Sequence, residues 1–146
     1  MASFQMLKRV QKSTTGKLWN SSSETLTLTD KKVWQGSHYT EFPETIQDGD
    51  NGDFTHDADE GEFSGSIVGL VYRRRDGTRW VIAWSNPLLG ESKVFTDIQQ
   101  QPIHWGQIKT NLDKRGKQKF KVSKFGYVAS VEIDPFTVKA SFELEP

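Results

Sequence analysis

The chain contains no cysteine, which removes disulfides, thiolate metal sites and a cysteine nucleophile from the chemistry open to it. No apolar run approaches the roughly 20 residues of a membrane-spanning helix. Residues 1–12, MASFQMLKRVQK, lack the continuous apolar centre of a signal peptide. A soluble cytoplasmic or nuclear protein is the expectation, since cysteine-poor chains suit reducing compartments without requiring them. The three histidines, His38, His56 and His104, are scattered and none sits in a metal-ligand spacing. His56 beside Asp57 offers half of a dyad, but there is no Gly-x-Ser-x-Gly elbow to aim a nucleophile. The run Asp48-Gly-Asp-Asn-Gly-Asp53 departs from an EF-hand loop, with Asp53 at the sixth position where glycine is required. No enzymatic activity or cofactor is therefore expected, and this run reads as an acidic turn without metal in preference to a calcium loop of another kind. Excess charge is absent too. Nineteen basic residues balance 19 acidic ones, and with no recognised motif beside them nucleic acid is not an expected partner.

Aromatic residues are plentiful. Five Trp, nine Phe and three Tyr occupy 146 residues, enough large side chains to fill the core of one domain spanning residues 1–146. The densest signal is Ser64 to Pro87. Two β-branched and aromatic runs, Ile67–Tyr72 and Trp80–Trp84, flank Asp76-Gly77, which reads as a type I′ hairpin turn with both central residues at positive φ. Runs this apolar require cover on both faces. Thr25–Thr29, Lys93–Ile98, Phe120–Val122, Val128–Ile133 and Phe136–Leu144 read as further strands, and Val33–Gly36 and Tyr39–Phe42 as shorter ones. Residues 47–62 read mostly as loop. Trp105, Ile108 and Leu112 share one face of a helix over Ile103–Lys114, and residues 4–12 read as a second short helix or a first strand. The fold class is mainly β, a sandwich with one or two short helices. Its expected core includes Leu70, Val81, Ile82, Trp84, Val131 and Phe142.

The balanced charge is sorted along the chain. Nine acids and no Lys or Arg lie between Glu41 and Glu62, the hairpin tip carries Arg73, Arg74, Arg75 and Arg79, and seven basic residues lie between Lys109 and Lys124. Alternation places Lys117, Lys119 and Lys121 on one side of a strand, opposite Phe120 and Val122. That stripe is a candidate contact for anionic surfaces, including peripheral membrane contact, and equally a device that blocks edge-strand pairing.

Trp34-Gln35-Gly36, the strand Gly65-Ser-Ile-Val-Gly-Leu-Val-Tyr72, Trp80–Pro87 and Lys93-Val-Phe-Thr96 resemble the small stress-responsive jasmonate-induced proteins of plants. The same strand pair ending in Ser-x-Pro resembles the actinoporin-like β-sandwiches, a superfamily that includes pore-forming cytolysins and fungal fruit-body lectins. The resemblance is densest over residues 16–98. It implies an actinoporin-like sandwich that binds a lipid headgroup or a glycan, with a ligand cleft at Val68, Ser85, Pro87, Trp105 and Lys109. It also marks departures. Two tyrosine positions of the superfamily's phosphocholine pocket fall on Lys109 and Thr110. Leu88-Leu89-Gly90-Glu91-Ser92 has no aromatic tip, and residues 1–12 are too short for a pore-forming helix. A plant stress or defence binding protein is the reading these features favour over a cytolysin or a lectin.

Overall fold

The computed structural model describes residues 13–58 and 65–146. Ten strands and one helix follow in the order β1 (Thr14–Ser21), β2 (Leu26–Gln35), β3 (Thr45–Ile46), β4 (Asn51–His56), β5 (Ser66–Arg74), β6 (Arg79–Asn86), β7 (Lys93–Gln99), α1 (Trp105–Arg115), β8 (Lys119–Lys124), β9 (Tyr127–Ile133) and β10 (Thr137–Leu144). They form two five-stranded sheets, ordered β4-β1-β10-β9-β8 and β3-β2-β5-β6-β7. Neighbouring strands pair antiparallel except β1 and β10, which run parallel with Thr15 beside Thr137. The sheets face each other across a shared core that takes Leu18, Phe54, Val131 and Phe142 from the first and Leu70, Tyr72, Ile82 and Trp84 from the second. Stacked rings dominate it: Trp80 on Phe142 at 5.5 Å and Phe54 on Trp84 at 4.9 Å between centroids.

The near-continuous burial of β5 and β6 follows from cover on both sides. Val68, Leu70 and Tyr72 turn into the sandwich together with Trp80, Ile82 and Trp84. On the opposite side Val71, Val81, Ala83 and Phe95 lie beneath α1, which sets Ile108 and Leu112 on them. All six expected core residues are buried, Val81 under the helix and the other five between the sheets. The helix closes with Gly116 N–H donating to the Leu112 carbonyl at 3.1 Å.

Several local expectations change. The Asp76-Gly77 hairpin is in place, but its loop is Arg75-Asp76-Gly77, closed by Arg74 N–H donating to the Thr78 carbonyl at 2.8 Å. Only Gly77 takes positive φ (94°), so this is a three-residue turn in which the Asp76 carboxylate accepts from Thr78 N–H at 3.0 Å. A two-residue turn with both φ positive occurs instead at Phe125 (57°) and Gly126 (84°), between β8 and β9. Leu26–Gln35 form one strand with irregularities at Leu28/Asp30 and Val33/Gln35 rather than two strands. Tyr39–Phe42 is not a strand, though Phe42 still enters the core. Within residues 47–62 the structure adds β4, with Phe54 and His56 turned inward. The expectation for residues 4–12 lies outside the described residues.

Candidate functional site

The residues expected to form one cleft divide among three environments. Val68 is fully buried in the inter-sheet core, because alternation along β5 sends it inward with Leu70 and Tyr72. Its side chain therefore faces away from Ser85 and cannot line a surface cleft, a correction to the expected set. Ser85 lies in register with Ile67 and Lys93, half-buried on the helix side of the second sheet. Lys93 Nζ donates to the Asp113 carbonyl at 2.9 Å, and Lys109 Nζ pairs with the Asp113 carboxylate at 2.7 Å. Lys93 and Lys109 thus converge on Asp113 of α1, with Ser85 in register beside Lys93 and Pro87 half-exposed beyond the strand end. Trp105 opens the same helix. Its ring rests on the bare backbone of Gly69, where an added Cβ would lie 2.4 Å from the indole. Its edge meets Trp34 at 5.6 Å, and its N–H donates to Asp30 at 3.1 Å. Those contacts make Trp105 an anchor of α1 on β5.

The lysine stripe is also divided. Lys119 and Lys121 project from β8 on the outer face of the first sheet, with Lys119 Nζ 3.9 Å from the Glu132 carboxylate. Lys117 precedes the strand. Its backbone N–H and carbonyl exchange hydrogen bonds with Val94 at 3.3 and 2.7 Å, stitching β7 to the segment before β8. A bend at Gln118 then breaks the alternation that would have aligned Lys117 with the other two. Lys124 crosses the same seam to Asp97 at 2.7 Å.

The outer face of the first sheet carries no covering element among the described residues. Across it Asn51, Trp19, Ser141, Ser130 and Lys121 follow one another in register on β4, β1, β10, β9 and β8. Trp19, 36% exposed, borders a concavity of about 510 Å³ with Lys119, Lys121, Lys139, Ser130 and Ser141. Sequence reasoning passed over Trp19. The signal was its parity in β1, which puts it with Lys17 and Thr15 on the solvent side of a strictly alternating strand.

The histidine beside Asp57 does meet a serine. His56 Nδ1 lies 2.6 Å from Ser66 Oγ, while Nε2 lies 2.9 Å from the Ser37 carbonyl and can only donate there. In the neutral imidazole Ser66 then donates to Nδ1, and it accepts from Trp84 Nε1 at 2.8 Å. Both residues have no solvent exposure, so the pair ties β4 to β5 inside the core instead of presenting a nucleophile. Asp48, from the glycine-aspartate run, accepts from Ser23 N–H at 3.0 Å. No three His, Asp or Glu side chains converge on a metal-binding position among the described residues.

Arg74 holds one end of the sandwich. Its guanidinium donates to the Ser22 carbonyl at 3.0 Å, Ser23 Oγ at 2.7 Å and Asp76 at 2.9 Å, and lies 5.3 Å from the centre of the Tyr127 ring. Tyr127 donates its hydroxyl to Asp76 at 2.9 Å. Partial burial disfavours ionised Asp76, but hydrogen bonds from Thr78 and Tyr127 and the Arg74 charge outweigh it and hold the carboxyl below its usual range. Burial, followed by the Asp76 bond and charge, pushes Tyr127 upward.

These features define a two-sheet β-sandwich with polar surfaces built on its strands. The chain belongs to the family of Nakanori-like proteins, whose sequence pattern matches residues 9–140. The 23 kDa jasmonate-induced protein of Hordeum vulgare is 28% identical over 127 residues, covering 80% of this chain and 60% of the barley protein. The chain thus spans about 60% of that relative's length, less than two thirds. The crystal structure of the lipid-binding protein Nakanori superposes with a TM-score of 0.81 at 18% identity, covering 99% of this chain and 76% of that one. The wild-type Xerocomus chrysenteron lectin XCL follows with a TM-score of 0.53 at 15% identity over 91% of this chain and 99% of the lectin. IP-1A from Alcaligenes faecalis gives 0.62 at 9% identity over 96% of each chain. At these identities the structural matches establish the fold. No helix among the described residues is long and apolar enough to cross a membrane.

Proposed function

We propose that this is a non-enzymatic binding protein of the plant stress or defence kind that recognises a lipid headgroup or a glycan. The observation that carries the reading is Trp19, set among lysines and serine hydroxyls on a five-stranded face that no element covers among the described residues. An indole face accepts a quaternary ammonium by cation–π attraction or the apolar face of a sugar by stacking. Neighbouring Lys119, Lys121 and Lys139 then suit a phosphate or sugar hydroxyls. The zone at Ser85, Pro87, Trp105 and Lys109 is the second candidate, suggested by the actinoporin-like resemblance but already occupied by internal contacts at Trp105 and Lys109.

Sphingomyelin vesicles and a glycan array, each probed with the parent, Trp19→Ala and the pair Ser85→Ala/Lys109→Gln, separate these surfaces. A desolvated cation–π contact is worth up to about 2 kcal/mol, so Trp19→Ala should weaken binding roughly 3- to 30-fold while the pair leaves it intact. Binding abolished by the pair and untouched by Trp19→Ala would move the site to α1. Robust dye release from the same vesicles would overturn the reading in favour of a cytolysin. Contact with anionic membranes belongs to the same proposal: changing Lys117, Lys119 and Lys121 to Gln should weaken low-salt binding to phosphatidylserine vesicles, and equal binding would refute that contact.

A further inference from the structure

The hairpin tip between β5 and β6 lies on the sheet opposite Trp19 and gathers several arginines. Arg73 and Arg79 lie directly opposite each other across β5 and β6, on the outward side of the second sheet. Like charges at such a position destabilise a strand pair. Arg73 also borders two concavities. One, of about 770 Å³, is lined by Thr25, Thr27 and Thr29 of the β2 region together with Arg75. The other includes Arg79. Of the two acids at these edges, Asp76 holds Arg74, Thr78 and Tyr127, and Glu24, which also lines the first concavity, lies 3.5 Å from the Arg74 guanidinium. Arg79 is braced by the Gly77 and Gln100 carbonyls at 3.2 and 3.0 Å. Arg73 and Arg75 make no ion pair among the described residues, and both are exposed.

From this arrangement we propose that Arg73, Arg75 and Arg79, with the hydroxyls of Thr25 and Thr27, form a site for a phosphomonoester. Guanidinium forks engage paired phosphate oxygens with two parallel hydrogen bonds, and hydroxyls can donate to the remaining oxygen. A phosphomonoester presents three terminal oxygens and close to two negative charges at neutral pH, which answers several guanidiniums on one face. A phosphodiester presents one charge and two such oxygens. The site lies on the opposite sheet from Trp19, so its success or failure is independent of the function proposed above. The phosphomonoester can arrive on a phosphoinositide headgroup or as a soluble inositol phosphate.

Calorimetric titration with inositol 1,4,5-trisphosphate, and sedimentation with phosphatidylinositol 4-phosphate vesicles against phosphatidylserine vesicles of matched surface charge, test this on the whole chain. Binding in either phosphomonoester arm is expected, with the arm that binds naming the source, and phosphatidylserine should bind at least tenfold more weakly. Arg73→Gln/Arg75→Gln should lose at least tenfold, whereas Lys17→Gln/Lys114→Gln, which removes the same charge away from the hairpin tip, should bind like the parent. All four substituted positions are exposed, and unchanged thermal melting verifies that each variant is folded. No binding in both arms, equal phosphatidylserine binding, or equal loss in the two variants would overturn the site.

Discussion

Replacing Gly69 with Ala tests how α1 is held. Gly69 sits in the middle of β5, outside the positive-φ region, so its backbone accepts alanine without strain. What forbids the methyl group is Trp105. The new Cβ would stand 2.4, 3.1 and 3.2 Å from three atoms of the indole, with the first far inside van der Waals contact. The ring must lift by about 1 Å, and overpacking of this kind costs about 1–3 kcal/mol. Lifting also strains the edge contact with Trp34 and the bond to Asp30. In a domain of this size a loss of 1 kcal/mol lowers Tm by about 2–4 °C. Urea unfolding of Gly69→Ala, Trp105→Ala and the double variant closes a thermodynamic cycle. Once the indole is gone the glycine has no steric purpose, and Gly69→Ala in that background should be neutral or stabilising by up to about 1 kcal/mol through the unfolded chain. A Gly69→Ala cost that persists unchanged without Trp105 would refute the anchoring argument.

Two further outcomes follow from local chemistry. Asp76 titrates below its unfolded value, so its contribution is complete above about pH 4 and disappears as pH falls through the depressed folded value. Asp76→Asn should therefore reduce stability near pH 7 and flatten the acid limb of the stability curve. Urea midpoints at pH 7 and pH 3 measure this, and equal acid sensitivity in both proteins would contradict it. Phe125 holds φ at 57° in the β8–β9 turn while half its surface is exposed, and Phe125→Asn suits that turn better. Relief of left-handed strain is worth about 1 kcal/mol, which should raise Tm by about 2–4 °C in a melting scan. A lower Tm would show that the ring contributes more than the backbone conformation costs.

The parts of the fold that could be read from the sequence were those whose pattern has a single physical solution. Ile67–Tyr72 and Trp80–Trp84 are too apolar for a half-exposed sheet, and both faces are indeed covered. Trp105, Ile108 and Leu112 marked the helix face that meets the sheet, although Gly69 gave no hint that a ring would lie on it. β4 was hidden because its inward residues are one Phe and one His amid glycine and acids, a composition that otherwise signals loop. The turn type was missed because a carboxylate bonded to Thr78 stabilises a three-residue loop that the Asp-Gly dipeptide equally permits. Val68 was placed at a cleft through a family pattern that marks positions along the chain, whereas side-chain parity along β5 decides which way it points. Trp19 was legible only as parity, and the lateral row it joins depends on strands far apart in the chain.

The parallel pairing of β1 with β10 bears on how the molecule comes together. Thr15 and Thr137 lie 122 residues apart along the chain, yet their hydroxyls meet at 3.0 Å. The second sheet is built from β2 through β7 with nearer neighbours, apart from the excursion of β4. Closing a long loop carries an entropic penalty that is met before its contacts reward it, so topologies rich in such pairings fold slowly. During synthesis β1 must wait, with one side open, until the last strand has emerged. Until then a strand-length edge of the first sheet stays available to other chains, and Lys17, at an outward position of β1, puts charge beside it during that interval.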